Sequence, residues 1–301
     1  SNVTFAGSGQ SFGWSAAHAV SLGDMDDDGD LDAFVTNAEN YPNKVWINDG
    51  SGNFTDSGQS LGGASLSYNV SLGDVDDDGD LDAFVANYYG NANKVYINDG
   101  SGTFTDSGQS LGASWTLGVE LGDVDDDGDL DAFVADWWGG NKVYINDGSG
   151  NFTDSGQSLG ASLSTGVSLG DVDGDGDLDA FVANADGQAN KVWINDGSGN
   201  FTNSGQSLGS SDSNDVSLGD VDHDGDLDAF VANGWDQGNE VWINDGSGNF
   251  TDSGQSLVSL NSWEVELGDV DDDGDLDAFV ANKNQANKVF INDGNGTFTD
   301  S

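Results

Sequence analysis

The chain has 301 residues, with 55 Asp and Glu set against six Lys and no Arg, for a formal net charge of −49. So acidic a surface excludes nucleic acid and an anionic membrane as partners, since both are held through Lys and Arg. With no Cys there is no disulfide or thiolate to read, and with no apolar run of about 18 residues no membrane insertion is expected.

No charged-then-apolar leader precedes Ser1, so a processed or excised chain is expected. High charge alone favours disorder. Against it, 35% of residues are hydrophobic, and the Phe and Trp recur at fixed positions. The string GDxDxDGDLDAFV occurs six times, its first Asp falling at Asp24, Asp74, Asp123, Asp171, Asp220 and Asp269, roughly every 49 residues. In chain order, the second copy predicts a strand over 70–73, an Asp-rich loop, a strand over 82–86, a strand over 94–98 and a short strand over 103–105. Alternating Val, Ile and Phe with Gly, Asn and Asp punctuation favour strands over helices. The Asn-Asp-Gly-Ser-Gly stretch at 98–102 supplies the positive-φ residues of a tight hairpin.

A four-stranded sheet cannot bury both faces alone, and radial stacking of such sheets solves that. The expected fold is all-β: a six-bladed β-propeller of four-stranded antiparallel blades, forming a single domain over 1–301. The fourth-strand motif occurs seven times, because Thr4-Phe5 resembles Thr297-Phe298. Closure is therefore expected by pairing of the N- and C-terminal segments, one of the two copies completing the last blade.

Each Asp-rich loop offers carboxylates at positions 1, 3, 5, 7 and 9 and glycine at 6, where the chain must turn sharply. The candidate metal ligands are Asp24, Asp26, Asp28, Asp30 and Asp32 in the first loop and Asp74, Asp76, Asp78, Asp80 and Asp82 in the second. They continue as Asp123, Asp125, Asp127, Asp129 and Asp131, then Asp171, Asp173, Asp175, Asp177 and Asp179. The last two sets are Asp220, Asp222, Asp224, Asp226 and Asp228, and Asp269, Asp271, Asp273, Asp275 and Asp277. At position 7 the backbone carbonyl is the expected donor. Oxygen ligands converging from a short loop suit calcium, whereas magnesium keeps its waters and zinc or copper wants Cys or His. About six structural Ca²⁺ are expected. An EF-hand is excluded, since position 12 is Val85 in place of Glu and a strand follows. The alternative, a solvated acidic turn without metal, leaves the crowded carboxylates to repel one another. Only position 4 varies, to Gly174 and His223, so His223 is expected to be an exposed bystander.

With strand, DxDxDGxxD loop, strand and propeller period together, the chain resembles the FG-GAP/VCBS repeat family, whose blades include those of integrin α-subunit heads. The resemblance covers essentially the whole chain. It implies a structural calcium in the hairpin between the two inner strands of each blade. Integrin heads have seven blades, one more than is counted here.

Comparing the six copies with one another exposes two variable segments. Two residues before the Val of the first strand stand His18, Tyr68, Leu117, Thr165, Asn214 and Trp263; four before it stand Ala16, Leu66, Trp115, Leu163, Asp212 and Asn261. Between the second and third strands stand Ala38-Glu39, Tyr88-Tyr89, Trp137-Trp138, Ala185-Asp186, Gly234-Trp235 and Lys283-Asn284. Strand parity puts both segments at one end of a blade and the acidic loop at the other. Trp14, Trp115, Trp137, Trp138, Trp235, Trp263, Tyr41, Tyr68, Tyr88 and Tyr89 all fall there. Trp46, Trp193 and Trp242 are expected to be packing residues in the third strand. Aromatic residues beside Asn, Asp and Gly have the composition of recognition surfaces.

The expected function is a non-catalytic, calcium-stabilised binding module that engages a protein or glycan on this face. Its expected binding residues are His18, Tyr68, Tyr88, Tyr89, Trp115, Trp137, Trp138, Trp235 and Trp263. A multivalent lectin would instead repeat one sugar site in every blade, and an engineered symmetric scaffold would have no natural ligand. An enzyme is not expected: the two His lie in unrelated contexts, the abundant Asp are committed to metal, and Glu264 and Glu266, which could reach the variable rim or channel, are expected to be solvated charges. A monomer in an extracellular or cell-surface setting is expected.

Overall fold

The computed structural model describes residues 7–12, 16–39, 41–63, 65–255 and 257–301. Among them there is no helix, hence none long and apolar enough to cross a membrane. The fold is all-β, built of six four-stranded antiparallel propeller blades.

By compactness the described residues divide into two units, within 6–160 and 161–301. In 6–160 the blades comprise Ala17–Gly23, Asp32–Asn37, Lys44–Asn48 and Phe54–Asp56; Ser67–Gly73, Asp82–Asn87, Lys94–Asn98 and Phe104–Asp106; Thr116–Gly122, Asp131–Asp136, Lys142–Ile145 and Thr153–Asp154. In 161–301 they comprise Ser164–Gly170, Asp179–Asn184, Lys191–Asn195 and Phe201–Asn203; Ser213–Gly219, Asp228–Asn233, Glu240–Asn244 and Phe250–Asp252; Ser262–Gly268, Asp277–Asn282, Lys288–Asn292 and Phe298–Asp300. We number them blades 1 to 6. A two-stranded ribbon, Gln237–Gly238 with Ser259–Leu260, is added beside blade 5.

Every blade is contiguous in sequence, and the terminal copy Thr297-Phe298 supplies blade 6 with its own fourth strand. The expected pairing through Thr4-Phe5 lies outside the described residues, as does Trp14.

The second strand of each blade is the most buried. In blades 2 to 5 all six of its residues are enclosed. Between blades 2 and 3 the core contains Val75, Phe84, Ala86, Val95, Val119, Val134, Tyr144 and Phe152. Its register repeats: Phe84 meets Phe152 edge-to-face at 5.3 Å, and Phe181 meets Phe250 in the same way at 5.2 Å. Trp193 and Trp242 are buried at third-strand positions, as expected, and Trp46 packs on Phe12.

Polar side chains stitch consecutive blades. Gln59 donates through Nε2 to the Gly102 carbonyl (2.7 Å) and accepts from the Phe104 amide (2.7 Å). Gln109, Gln206 and Gln255 do the same for Phe152, Phe250 and Phe298. One side chain thus satisfies two main-chain groups at a strand start that the sheet itself leaves open.

The first strand starts three residues earlier than the sequence predicts in blade 2, at Ser67 in place of Val70. The reason is a break in register. Ser67 pairs with Asn87 and Asn69 with Ala86, leaving Tyr68 as an extra, bulged residue. The same shift falls at Leu117, Thr165, Asn214 and Trp263, and spans His18 in blade 1. The variable position taken to precede the strand therefore lies inside it, as a β-bulge, and bulges turn a side chain out of the ladder.

Candidate functional site

The acidic loops close the hairpin between first and second strands. In the first loop Asp24 accepts the amides of Asp28 (3.1 Å) and Gly29 (2.9 Å), and Asp28 accepts that of Asp30 (3.0 Å). Asp32, fully buried, accepts Met25 N through one oxygen (3.1 Å) and Asn48 N through the other (2.8 Å). This folding back requires left-handed backbone at positions 4 and 6. Gly79 has φ +96°, and Asp77, His223 and Asp272 at position 4 have φ near +60°. That explains the residues allowed at position 4, since Asp tolerates the left-handed region and Gly occupies it freely.

The fold brings carboxylate oxygens together within 4.8 Å, among others in these sets: Asp24, Asp26 and Asp32; Asp74, Asp76 and Asp78; Asp123, Asp125 and Asp127; Asp171, Asp173 and Asp179; Asp220, Asp222 and Asp228. Position 7 is different. In blade 2 the Asp80 carboxyl lies over Gly100 of the facing hairpin, where a Cβ would come within 2.5 Å of it. Asp30, Asp129, Asp177, Asp226 and Asp275 lie likewise over Gly50, Gly148, Gly197, Gly246 and Gly294.

Oxygen donors are left without hydrogen-bond donors at the centre of these loops. The buried Oδ1 atoms of Asp26, Asp76, Asp125 and Asp173, all at position 3, have no partner, nor does Oδ1 of Asp220. Burial and neighbouring carboxylates push Asp76 above the usual carboxylate range. Burial likewise raises Asp82, Asp131, Asp179 and Asp228 to about 6. A converging set of all-oxygen groups with unpartnered, desolvated members fits a hard cation.

The loops are also joined to the next blade. Asn98 Nδ2 donates to the Met25 carbonyl at loop position 2 (2.9 Å), and Asn146 does so to Val75 (2.8 Å). The Gly150 amide adds a second bond to Val75 O (2.8 Å). In 161–301, Asn244 and Asn292 grip Val172 and Val221 in the same way. Exposed His223 also reaches onward from its loop, with Nδ1 3.3 Å from Gly294 O and Nε2 3.7 Å from Asp275.

At the opposite end of each blade the two variable segments are hydrogen-bonded neighbours. Ala38 N donates to Ala16 O, Tyr88 N to Leu66 O and Trp137 N to Trp115 O. Ala185 donates to Leu163, Gly234 to Asp212 and Lys283 to Asn261. The bulged residue faces the next blade: Thr165 Oγ1 donates to Ser213 O (2.9 Å), Asn214 Nδ2 to Ser262 O (2.6 Å), and His18 stacks on Tyr68 at 3.9 Å.

Aromatic residues gather in 6–160. Tyr68 meets Tyr88 at 4.8 Å, Tyr88 meets Trp115 at 4.9 Å, Tyr89 stacks on Trp115 at 5.0 Å and Trp138 meets Trp115 edge-on at 6.5 Å. Trp137 is half-buried, whereas Tyr89, Trp138 and Tyr41 are exposed. In 161–301 Trp235 is 75% exposed, and Trp263 lies under the Lys283 ammonium.

Beneath these ends runs a buried amide network that the sequence reading missed. Asn93 Oδ1 accepts the Asn87 amide, Asn87 donates through Nδ2 to Ala92 O, and Ser67 donates to Asn87 Oδ1 (2.8 Å). Its signal is the Asn recurring at the end of the second strand and before the third. In blade 3 Asp136 replaces this Asn and accepts from Ser114 and Thr116, with burial holding its carboxyl above the usual range. Glu264, expected to be a solvated charge, is instead half-buried in the first strand of blade 6, where burial raises its carboxyl and it faces Asp215 on the neighbouring blade.

A model of the FG-GAP-like repeat matches overlapping stretches at 24–85, 74–134, 123–182, 171–231 and 220–280. No curated protein matches the chain in sequence. Among solved structures, a protein from Lactobacillus plantarum is similar over 94% of this chain and 82% of its own, with TM-score 0.70 and 14% identity. Virginiamycin B lyase from Staphylococcus aureus is similar over 95% and 84%, with TM-score 0.65 and 14% identity. BBS1N, solved in complex with ARL6DN, is similar over 92% and 81%, with TM-score 0.61 and 12% identity. Likeness at these identities speaks to fold alone.

Proposed function

The chain belongs to the FG-GAP-like repeat family, and from that premise we propose a calcium-stabilised binding module without catalytic activity, its ligand taken up at the variable blade ends. The calcium would be held by side chains at loop positions 1, 3, 5 and 9 and by the main-chain carbonyl of position 7, whose own carboxyl is turned onto the hairpin glycine. Bound there, the cation supplies positive charge to desolvated carboxylates. Because the next blade grips the position-2 carbonyl, ordering the loop also fastens one blade to another.

The observation that carries the binding reading is the bulge. One residue per blade is released from the ladder at the end opposite the metal loops, and at that residue the six copies all differ. Protein partners fit such an asymmetric surface, and BBS1N, of similar fold, was solved with a protein partner. A glycan bound to the aromatic rings is the competing occupant. A monomer in an extracellular or cell-surface setting suits a fold of this charge that needs calcium.

Calorimetric titration of the chelated protein should give about six calcium ions; two or fewer would overturn the metal reading. A screen of candidate proteins and glycans against Trp138→Ala/Trp235→Ala should show ligand lost while the melting temperature in calcium is kept. Undiminished binding would remove this surface from consideration.

A further inference from the structure

We propose that the aromatic cluster of 6–160 takes cationic side chains from a Lys- or Arg-rich segment of a partner protein. This rests on reading the variable blade ends as the binding surface. Tyr68, Tyr88, Tyr89, Trp115 and Trp138 form one continuous set of ring contacts, with Tyr89 65% and Trp138 61% exposed. Aromatic faces attract cations, most strongly for Trp.

The chain itself shows the pairing. In blade 6 the positions equivalent to Tyr68 and Tyr88 are Trp263 and Lys283, and the Lys283 ammonium lies 4.2 Å from the centre of the Trp263 ring. One blade end thus carries its own cation on its own ring, whereas at blades 2 and 3 the same positions are Tyr68 and Tyr88, then Leu117 and Trp137. No other Lys of the chain serves this purpose. Lys44, Lys94 and Lys142 pair with Asp56, Asp106 and Asp154 at 3.2–3.3 Å, Lys191 binds Gln206 O, and Lys288 binds Asp300. A net charge of −49 without a single Arg makes the complementary partner basic.

The test uses the calcium-saturated protein and an eight-residue peptide alternating Arg and Ser, compared with the same peptide carrying neutral citrulline for Arg. In about 0.15 M salt the Arg peptide should bind, with the citrulline peptide and the Tyr89→Leu/Trp138→Leu variant each weakening binding roughly 10-fold. Arg-peptide binding that falls with salt identically in the wild-type protein and the double variant would be diffuse attraction and would overturn the proposal. If the citrulline peptide or a neutral glycan binds as well and the double variant loses it, the cation assignment fails while the binding surface stands. If neither peptide binds, the basic-partner proposal fails, and the partner screen above decides the surface separately.

Discussion

Removing the hydroxyl of Ser213 should destabilise the protein, and adding one at Ala17 should stabilise it. Ser213 and Asn233 are fully buried, and the Ser213 Oγ donates to Asn233 Oδ1 at 2.8 Å. Among the described residues no other group donates to that oxygen, so Ser213→Ala strands a buried acceptor at a cost of about 1–3 kcal/mol. Blade 1 carries Ala at the equivalent place, exposed where Ser213 is buried. Ala17 pairs with Asn37 as Ser213 pairs with Asn233, and the buried Asn37 Oδ1 has no partner. Ala17→Ser should then restore the bond and contribute about 0.5–1.5 kcal/mol. At roughly 2–4 °C per kcal/mol for cooperative units of this size, calorimetry in saturating calcium should show a fall of about 2–12 °C for Ser213→Ala and a rise of about 1–6 °C for Ala17→Ser. Equal signs for the two variants, or no change in Ser213→Ala, would refute the reasoning, because water would then be serving Asn Oδ1.

In chelator the pH dependence should run opposite to that of most proteins. Burial raises Asp82, Asp131, Asp179 and Asp228 to about 6 in the folded chain, against an ordinary 3.8. The folded form therefore holds protons more tightly, so this stability is fullest below about 4 and is lost as pH rises through about 6. Calcium favours the ionised carboxylates and should remove the loss, a contrast visible in melting curves from about pH 4.5 to 8 with and without chelator. Gly100→Ala should lower stability by roughly 1–3 kcal/mol, since its φ of +74° strains an Ala and the new Cβ meets the Asp80 carboxyl; a melting temperature equal to wild type would contradict the packing described. Gln59→Ala should cost about 1–3 kcal/mol by stranding the Phe104 amide, read as a lower urea midpoint, and an unchanged midpoint would show that another group satisfies it.

The blades and their acidic loops were legible because six internal copies separate what must recur from what need not. Period, strand order, loop position and the third-strand Trp all follow from short-range pattern. Less was legible where a residue's role depends on another blade. Nothing local marks Gln59 as a clamp on a strand more than 40 residues ahead, or the position-7 Asp as a side chain lying over a glycine. The bulge escaped because Ser-Tyr-Asn at 67–69 has no apolar alternation, so the strand reads as beginning at Val70, whereas the ladder resumes beyond the break at Ser67. The aromatic residues were placed at the correct blade end, but their gathering in 6–160 depends on which blades are neighbours.

The bulge also bears on how such a chain can change over generations. A residue held in the ladder is constrained twice, by its partner strand and by whatever it touches outside. The bulged residue is relieved of the first constraint, so substitution there leaves strand pairing and the acidic loop alone. What such a substitution changes is the contact with the next blade, as at Thr165 and Asn214, and the surface of the blade end. His, Tyr, Leu, Thr, Asn and Trp at this one place in six otherwise near-identical repeats are the outcome such freedom permits.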